Sequence, residues 1–317
     1  MRPNGERRQT ADGEAPGHAA SGPPGKTAKR RRRRESPMMQ LVKDMAFLVN
    51  HLMDERGAGS RHVEPQEDPR WFMEQWEQFR ALVNTREPKP ASPEFLKVQD
   101  RVLQLMVAEP GITEADELAR TASDPRLSIW RGDITALRCD AIVNAANSAL
   151  LGCWIPGHLC IDNAIHTFAG VQLRLKCAQI MREQGYEEPV GRAKVTPAYN
   201  LPSRNIIHTV GPMTKGNPTL EQRKQLTQCY ISCLDAACAA KAKSVAFCCI
   251  STGVFGFPQQ EGAQIAVQAV KAWLDSRAAD EPGADMHVIF DVYTEQDENF
   301  YRAILGKDEE PANDAEE

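Results

Sequence analysis

No stretch of this 317-residue sequence approaches the roughly 20 consecutive apolar residues that a membrane-crossing helix needs. A helical membrane protein is therefore not expected, and no membrane partner is read. The first residues are polar and basic with no apolar segment behind them, so a secretory signal is not expected either. The G-x-G-x-x-G fingerprint of dinucleotide-binding turns is missing. Cysteine offers no disulfide framework, because nine is an odd number and the residues are scattered. Cys229, Cys233 and Cys238 fall on a helical pattern, and Cys248 and Cys249 in an apolar run. They read as small buried hydrophobes in a reducing, intracellular compartment.

What is present is ordinary soluble composition, 42% hydrophobic and 26% charged, in a length that suits one large domain or a core with an appendage. The net charge of −5 is unevenly placed. Residues 1–36 carry 10 Lys/Arg against 4 Asp/Glu, and residues 307–317 carry one Lys against 6 acids. The first segment is rich in Gly, Pro, Ala and Arg and has too few apolar groups to offset ordering entropy, so a disordered basic tail is expected at 1–36. An acidic disordered tail is expected at 307–317. The run Lys29–Arg34 reads as a nuclear address or phosphate-binding patch, or equally as a solvated tail. Localisation is read as cytoplasmic, with a nuclear share if that run is an address. A nucleic-acid role is confined to the same tail.

From Pro37 apolar residues recur at helical spacing: Met38-Met39, Leu41-Val42 and Met45, then Trp71-Phe72 and Trp76, then Phe95-Leu96, Val98 and Val102-Leu103. Prolines at 65, 69, 88, 90, 93 and 110 separate them. Residues 37–124 read as an N-terminal helical extension. Beyond Pro125 the texture alternates. Strand-like runs at 127–130, 141–144, 206–210, 245–250 and 288–293 are interleaved with helical patterns at 164–182, 220–240, 260–276 and 296–305. That alternation predicts an α/β fold over 125–306, a mostly parallel sheet covered by helices on both faces. Ligands in such sheets sit at the carboxyl ends of the strands.

Four strand-end segments carry candidate chemistry. Gly132-Asp133-Ile134-Thr135 places a carboxylate beside a glycine, and Val143-Asn144-Ala145-Ala146-Asn147 offers two amides separated only by small residues. Turn chemistry explains either segment taken alone. Next, Cys153, His158 and Cys160 are spaced C-x4-H-x-C in a Gly- and Pro-containing loop. Two thiolates and an imidazole suit one tetrahedral Zn²⁺ per chain, and three ligands with an open position is the catalytic pattern. A structural site completed by a distant residue, or two inert thiols, remain alternatives. Asp162, two residues on at a helix start, reads as a helix-dipole partner or as a base. His166 reads as a packed histidine. The last segment, Ser251-Thr252-Gly253-Val254-Phe255-Gly256, lies between strand and helix, where glycines and free amides favour a phosphate. No G-K-[ST] follows these glycines, which excludes a P-loop. Tyr293, after the final strand, is either core or a stacking aromatic.

Together these segments resemble the macrodomains: G-D-I-T, V-N-A-A-N and S-T-G-x-F-G-x-P. The stretch Gly152-Cys153-Trp154 to His158, Cys160 and Ile161-Asp162-Asn163-Ala164-Ile165-His166 resembles the zinc-dependent branch, with Trp154 where phenylalanine is usual. The resemblance covers nearly all of 37–305 and implies a macrodomain fold with an N-terminal helical extension. It implies binding of ADP-ribose through Asp133, Ile134, Asn147, Ile161, Asp162, Asn163, Ser251, Thr252, Gly253, Val254, Phe255, Gly256 and Tyr293. Asp133 would hold the adenine amine, Asn147 would face the distal ribose, and Asn147 and Asp162 would be catalytic. The implied activity is zinc-dependent removal of mono-ADP-ribose from modified protein side chains. The alternative is a reader that binds ADP-ribose around a structural zinc.

Overall fold

The computed structural model describes residues 36–57 and 62–306; the expected tails, including Lys29–Arg34, lie outside them except for Ser36. Three helices come first: α1 (Pro37–Asp54), α2 (Pro69–Asn84) and α3 (Pro93–Ala108). Of the prolines that read as separators, Pro69 and Pro93 open α2 and α3, as Pro37 opens α1. Ser36, Asp68 and Ser92 cap α1, α2 and α3, each followed by proline at the first helical position. There proline loses no useful donor, while the cap side chain satisfies an amide of the first turn. The apolar faces of the three helices share one core built on Met45, Leu48, Leu52, Trp76, Phe79, Phe95 and Leu103. Phe168 and Val171 of the following layer pack into it.

Eight strands follow. β1 (Thr113–Glu114) and β3 (Leu137–Arg138) make a small parallel pair. The main sheet contains β2 (Leu127–Trp130), β4 (Ala141–Ala146), β5 (Ala193–Pro197), β6 (Asn205–Val210), β7 (Ser244–Phe247) and β8 (His287–Asp291). Its order is β2-β8-β7-β4-β6-β5, with every pair parallel except β5–β6. The mixed, mostly parallel sheet expected from the sequence is thus present. Alternate residues of each strand face opposite layers. Val143, Ile207, Val245, Phe247, Val288 and Phe290 join the core under α6 (Leu220–Ala239), α7 (Gln259–Asp275) and α8 (Glu295–Leu305). Ile142, Ile206, Ala246 and Ile289 join the opposite core under α4 (Ile161–Ala169) and α5 (Val171–Gln184).

Several elements differ from expectation, the short β1 and β3 among them. The single helix expected over 164–182 is two, broken at Gly170, whose φ of 97° is open to glycine but rare for other residues. A Cβ there would stand 2.6 Å from both Gln99 Nε2 and Gln172 Oε1, so the ends of these two side chains would also have to shift. β5 was not expected, because an edge strand reading Ala-Lys-Val-Thr-Pro lacks a continuous apolar run. The strands expected to reach 250 and 293 stop at Phe247 and Asp291, which releases the residues beyond them into loops.

Candidate active site

The sheet order sets the lateral order of the site. Asp133 follows β2, Tyr293 follows β8, the 251–256 loop follows β7, and Asn147 follows β4, all at carboxyl ends of neighbouring parallel strands. Asp133 is exposed and caps a short 3-10 turn, Ile134–Ala136, with Oδ1 accepting from Thr135 N at 2.9 Å and Thr135 Oγ1 at 2.6 Å. Ile134 is buried beneath it. Tyr293 is 81% exposed, so the core-packing reading of this residue is corrected: it projects from the rim.

The 251–256 loop is held from both sides. Ser251 is buried with φ of 67°, a left-handed conformation unusual for residues other than glycine, and its Oγ has no partner among the described residues. Phe257 N donates to Ser251 O and Gly256 N to Gly253 O, closing a compact turn. Thr214 N donates to Phe255 O and Thr214 Oγ1 to Gly256 O, pinning the turn from outside. Thr252 and Phe255 are half-buried, whereas Gly253, Val254 and Gly256 are exposed along the crest.

At the other end, both asparagines of the Val143–Asn147 segment reach Asp162. Asn144 is fully buried, and its Nδ2 donates to Asp162 Oδ1 at 2.8 Å. Asn147 Nδ2 donates to Asp162 Oδ2 at 3.3 Å and to Gly152 O at 3.0 Å. Asp162 belongs to the first turn of α4, where Cys160 is the N-cap residue, so the carboxylate also meets the positive end of the helix dipole. Burial pushes its pKa up to about 6, against the opposing pull of the Asn144 bond and the Arg174 charge. Asn163 turns away from the cleft: its Nδ2 donates to Ile155 O at 3.1 Å and ties the loop to α4. Ile161 packs between the two sheet cores.

Cys153, His158 and Cys160 converge in the loop between β4 and α4, with one ligand atom from each lying within 4.8 Å of the others. All three are half-exposed, as a site open to substrate needs. Two sulfurs and an imidazole nitrogen form a donor set that fits Zn²⁺. A second trio, His166, Cys177 and His208, also lies within 4.8 Å but is wholly buried. His208 is already engaged: its Nδ1 accepts from Asn144 Nδ2 at 3.1 Å and its Nε2 pairs with Thr196 Oγ1 at 2.9 Å. His166 packs as a core histidine, with Nε2 at 3.6 Å from Asp162 Oδ1. All nine cysteines are free thiols.

Three functional neighbours escaped the sequence reading: Asn84, Arg174 and His208. Arg174 carried a usable signal, because it occupies a core position on α5 among Val171, Leu173, Cys177 and Ala178. A charge on the buried face of an amphipathic helix needs a partner.

A family model described as Macro domain matches residues 143–266. A protein-ADP-ribose hydrolase of Treponema medium is 49% identical over 229 residues, covering 72% of this chain and 86% of its own. A protein-ADP-ribose hydrolase of Staphylococcus aureus (strain MSSA476) is 44% identical over 267 residues, covering 84% and 96%. Among solved structures, the Trypanosoma brucei macrodomain in complex with ADP-ribose is 27% identical with a TM-score of 0.53, covering 72% of this chain and 95% of that one. The Oceanobacillus iheyensis macrodomain with ADP is 38% identical with a TM-score of 0.50, covering 57% and 90%. With the motifs, the sheet order and these relatives in agreement, the chain belongs to the macrodomain family.

Proposed function

We propose that this chain is a zinc-dependent hydrolase that releases mono-ADP-ribose from modified protein side chains. The observation that carries the reading is the meeting of Asn147, Asp162 and the Cys153/His158/Cys160 trio at one end of a row of strand ends. The row spans three strand spacings, about 14 Å, which accommodates an extended nucleotide with a second sugar. Asp133 would accept from the adenine amine, and Tyr293 would cover the base. The loop of Ser251, Thr252, Gly253, Val254, Phe255 and Gly256 would wrap the diphosphate, with Gly256 N already given to Gly253 O and Thr252 N to Cys249 O. Relatives named protein-ADP-ribose hydrolase and a macrodomain structure containing ADP-ribose support this assignment.

Cys153, His158 and Cys160 would hold the zinc ion, which would supply Lewis acidity and a template beside the distal ribose. Asn147 and Asp162 would orient that ribose and the attacking water. The water oxygen bonds to C1″ as the bond from C1″ to the protein side chain breaks. The leaving side-chain atom takes up a proton, and Asp162 would accept one from the water. Mono-ADP-ribosylated proteins are therefore the proposed substrates.

The test is release of free ADP-ribose from proteins modified through defined linkages, comparing wild type with Cys153→Ala. Release by wild type and not by the variant is expected. Tight ADP-ribose binding with no release by either protein would replace this proposal with a reader built on a structural metal.

A further inference from the structure

We propose that the N-terminal helices form a clamp that holds the Cys153–Cys160 loop in its metal-ready shape, acting through Asn84 and Arg174. The inference rests on the zinc reading above and assigns a purpose to α1–α3. Asn84, the last residue of α2, is 1% exposed. Its Oδ1 accepts from Gly157 N at 3.0 Å, the residue directly before His158, and its Nδ2 donates to Thr167 Oγ1 of α4 at 2.9 Å. One side chain of α2 thus fixes the loop next to a metal-ligating position and the helix that follows.

Arg174 makes the second tie. It is buried on α5, and among the described residues it has no carboxylate within salt-bridge distance. Its guanidinium is spent instead on carbonyls from two parts of the chain. Nε donates to Leu151 O at 2.6 Å, while Nη1 donates to Val83 O and Arg86 O, both at 2.9 Å. The guanidinium also stands 4.4 Å from the centroid of the Trp154 ring, a cation–π contact on the residue following Cys153. Only a planar fork with several donors can serve two carbonyl groups of α2 and its following turn, one of the loop and an aromatic face together.

The loop therefore is held at Leu151, Trp154 and Gly157, positions that bracket Cys153 and flank His158. A short loop bearing three ligands must be ordered before or during metal capture. Bonds that order it beforehand raise affinity by lowering that cost. Partners of this kind change metal affinity by about ten- to a hundredfold. Asn84 and Arg174 are positioning residues on this view, since neither is among the three ligand candidates.

The experiment measures zinc affinity of the full chain by competition with a chromophoric chelator, together with the thiolate-to-cobalt absorption of the Co²⁺-substituted protein. Asn84→Ala and Trp154→Ala are expected to weaken zinc binding about ten- to a hundredfold and to alter the cobalt bands. Arg101→Gln serves as control. It breaks the Arg101–Asp44 pair between α3 and α1, at 2.6 Å, without touching the loop. It should lower the melting temperature and leave zinc affinity unchanged. Wild-type affinity in both clamp variants would overturn the clamp, as would an equal loss in Arg101→Gln. A wild-type chain that takes up no zinc would overturn the zinc reading and the clamp with it.

Discussion

Asn144 Nδ2 stands 2.8 Å from Asp162 Oδ1 and 3.1 Å from His208 Nδ1, so one buried amide fixes both a carboxylate and an imidazole. Because His208 Nδ1 accepts this bond, its proton lies on Nε2, directed at Thr196 Oγ1. The carboxylate at the proposed reaction centre is thereby anchored to the middle of the sheet, through β4 and β6.

Asp162→Asn keeps the size of the side chain, removes the proposed proton acceptor, and gives up one of the two oxygens that accept from Asn144 and Asn147 Nδ2. Release of ADP-ribose should fall by roughly 10²- to 10⁴-fold, with ADP-ribose affinity within a few fold of wild type. Single-turnover release and calorimetric binding measure the two quantities. Unchanged release would remove Asp162 from the chemistry.

His208 makes stability pH-dependent. Burial holds its pKa at about 4, below the ordinary 6.5. As the pH falls below about 6.5 the unfolded chain takes up a proton here that the folded chain refuses until about 4. Its contribution is therefore complete above pH 6.5 and is lost progressively as the pH falls toward 4, by about 2 kcal/mol at pH 5. Urea unfolding of His208→Gln should show a smaller drop in midpoint between pH 7 and pH 5 than wild type does. Parallel curves for the two proteins would contradict this account.

Gly211 follows β6 and faces the 251–256 loop. A Cβ there would overlap Ser251 Oγ and stand 2.9 Å from Ile250 Cγ2. Gly211→Ala should therefore displace the strained Ser251, costing about 1–3 kcal/mol of stability and about tenfold in ADP-ribose affinity. Retention of wild-type affinity would show that the loop can move aside without loss of ligand contacts.

Metal removal should act locally. Treatment with a strong chelator, or Cys153→Ser, should abolish ADP-ribose release while leaving the far-ultraviolet circular dichroism unchanged. Full turnover by demonstrably metal-free protein would end the zinc mechanism.

The legible features share one property: their signal is local in the chain. The Cys153, His158 and Cys160 spacing lies within eight consecutive residues, and the core strands announce themselves by short apolar runs such as 141–144 and 206–210. The break at Gly170 was hidden because the apolar pattern runs straight through it, and only backbone conformation and crowding by Gln99 reveal it. Strand β5 was hidden by its place at the sheet edge, where it need not be apolar on both faces. Asn84 and Arg174 were hidden by distance, since their partners lie 73 and 91 residues away. Tyr293 left core and rim readings equally open until its exposure decided between them.

The strand ends from β2 through β8 and β7 to β4 form a ruler laid across the sheet. Each mark on it belongs to a different loop, and each loop is braced separately: Asp133 by Thr135, the 251–256 turn by Thr214, Asn147 by Gly152. Substitutions at one mark need not disturb the next. Under the proposed function, such a layout would let the grip on the nucleotide stay constant while the far end is rebuilt around a different leaving group, so that new linkage preferences could arise by changing one loop at a time.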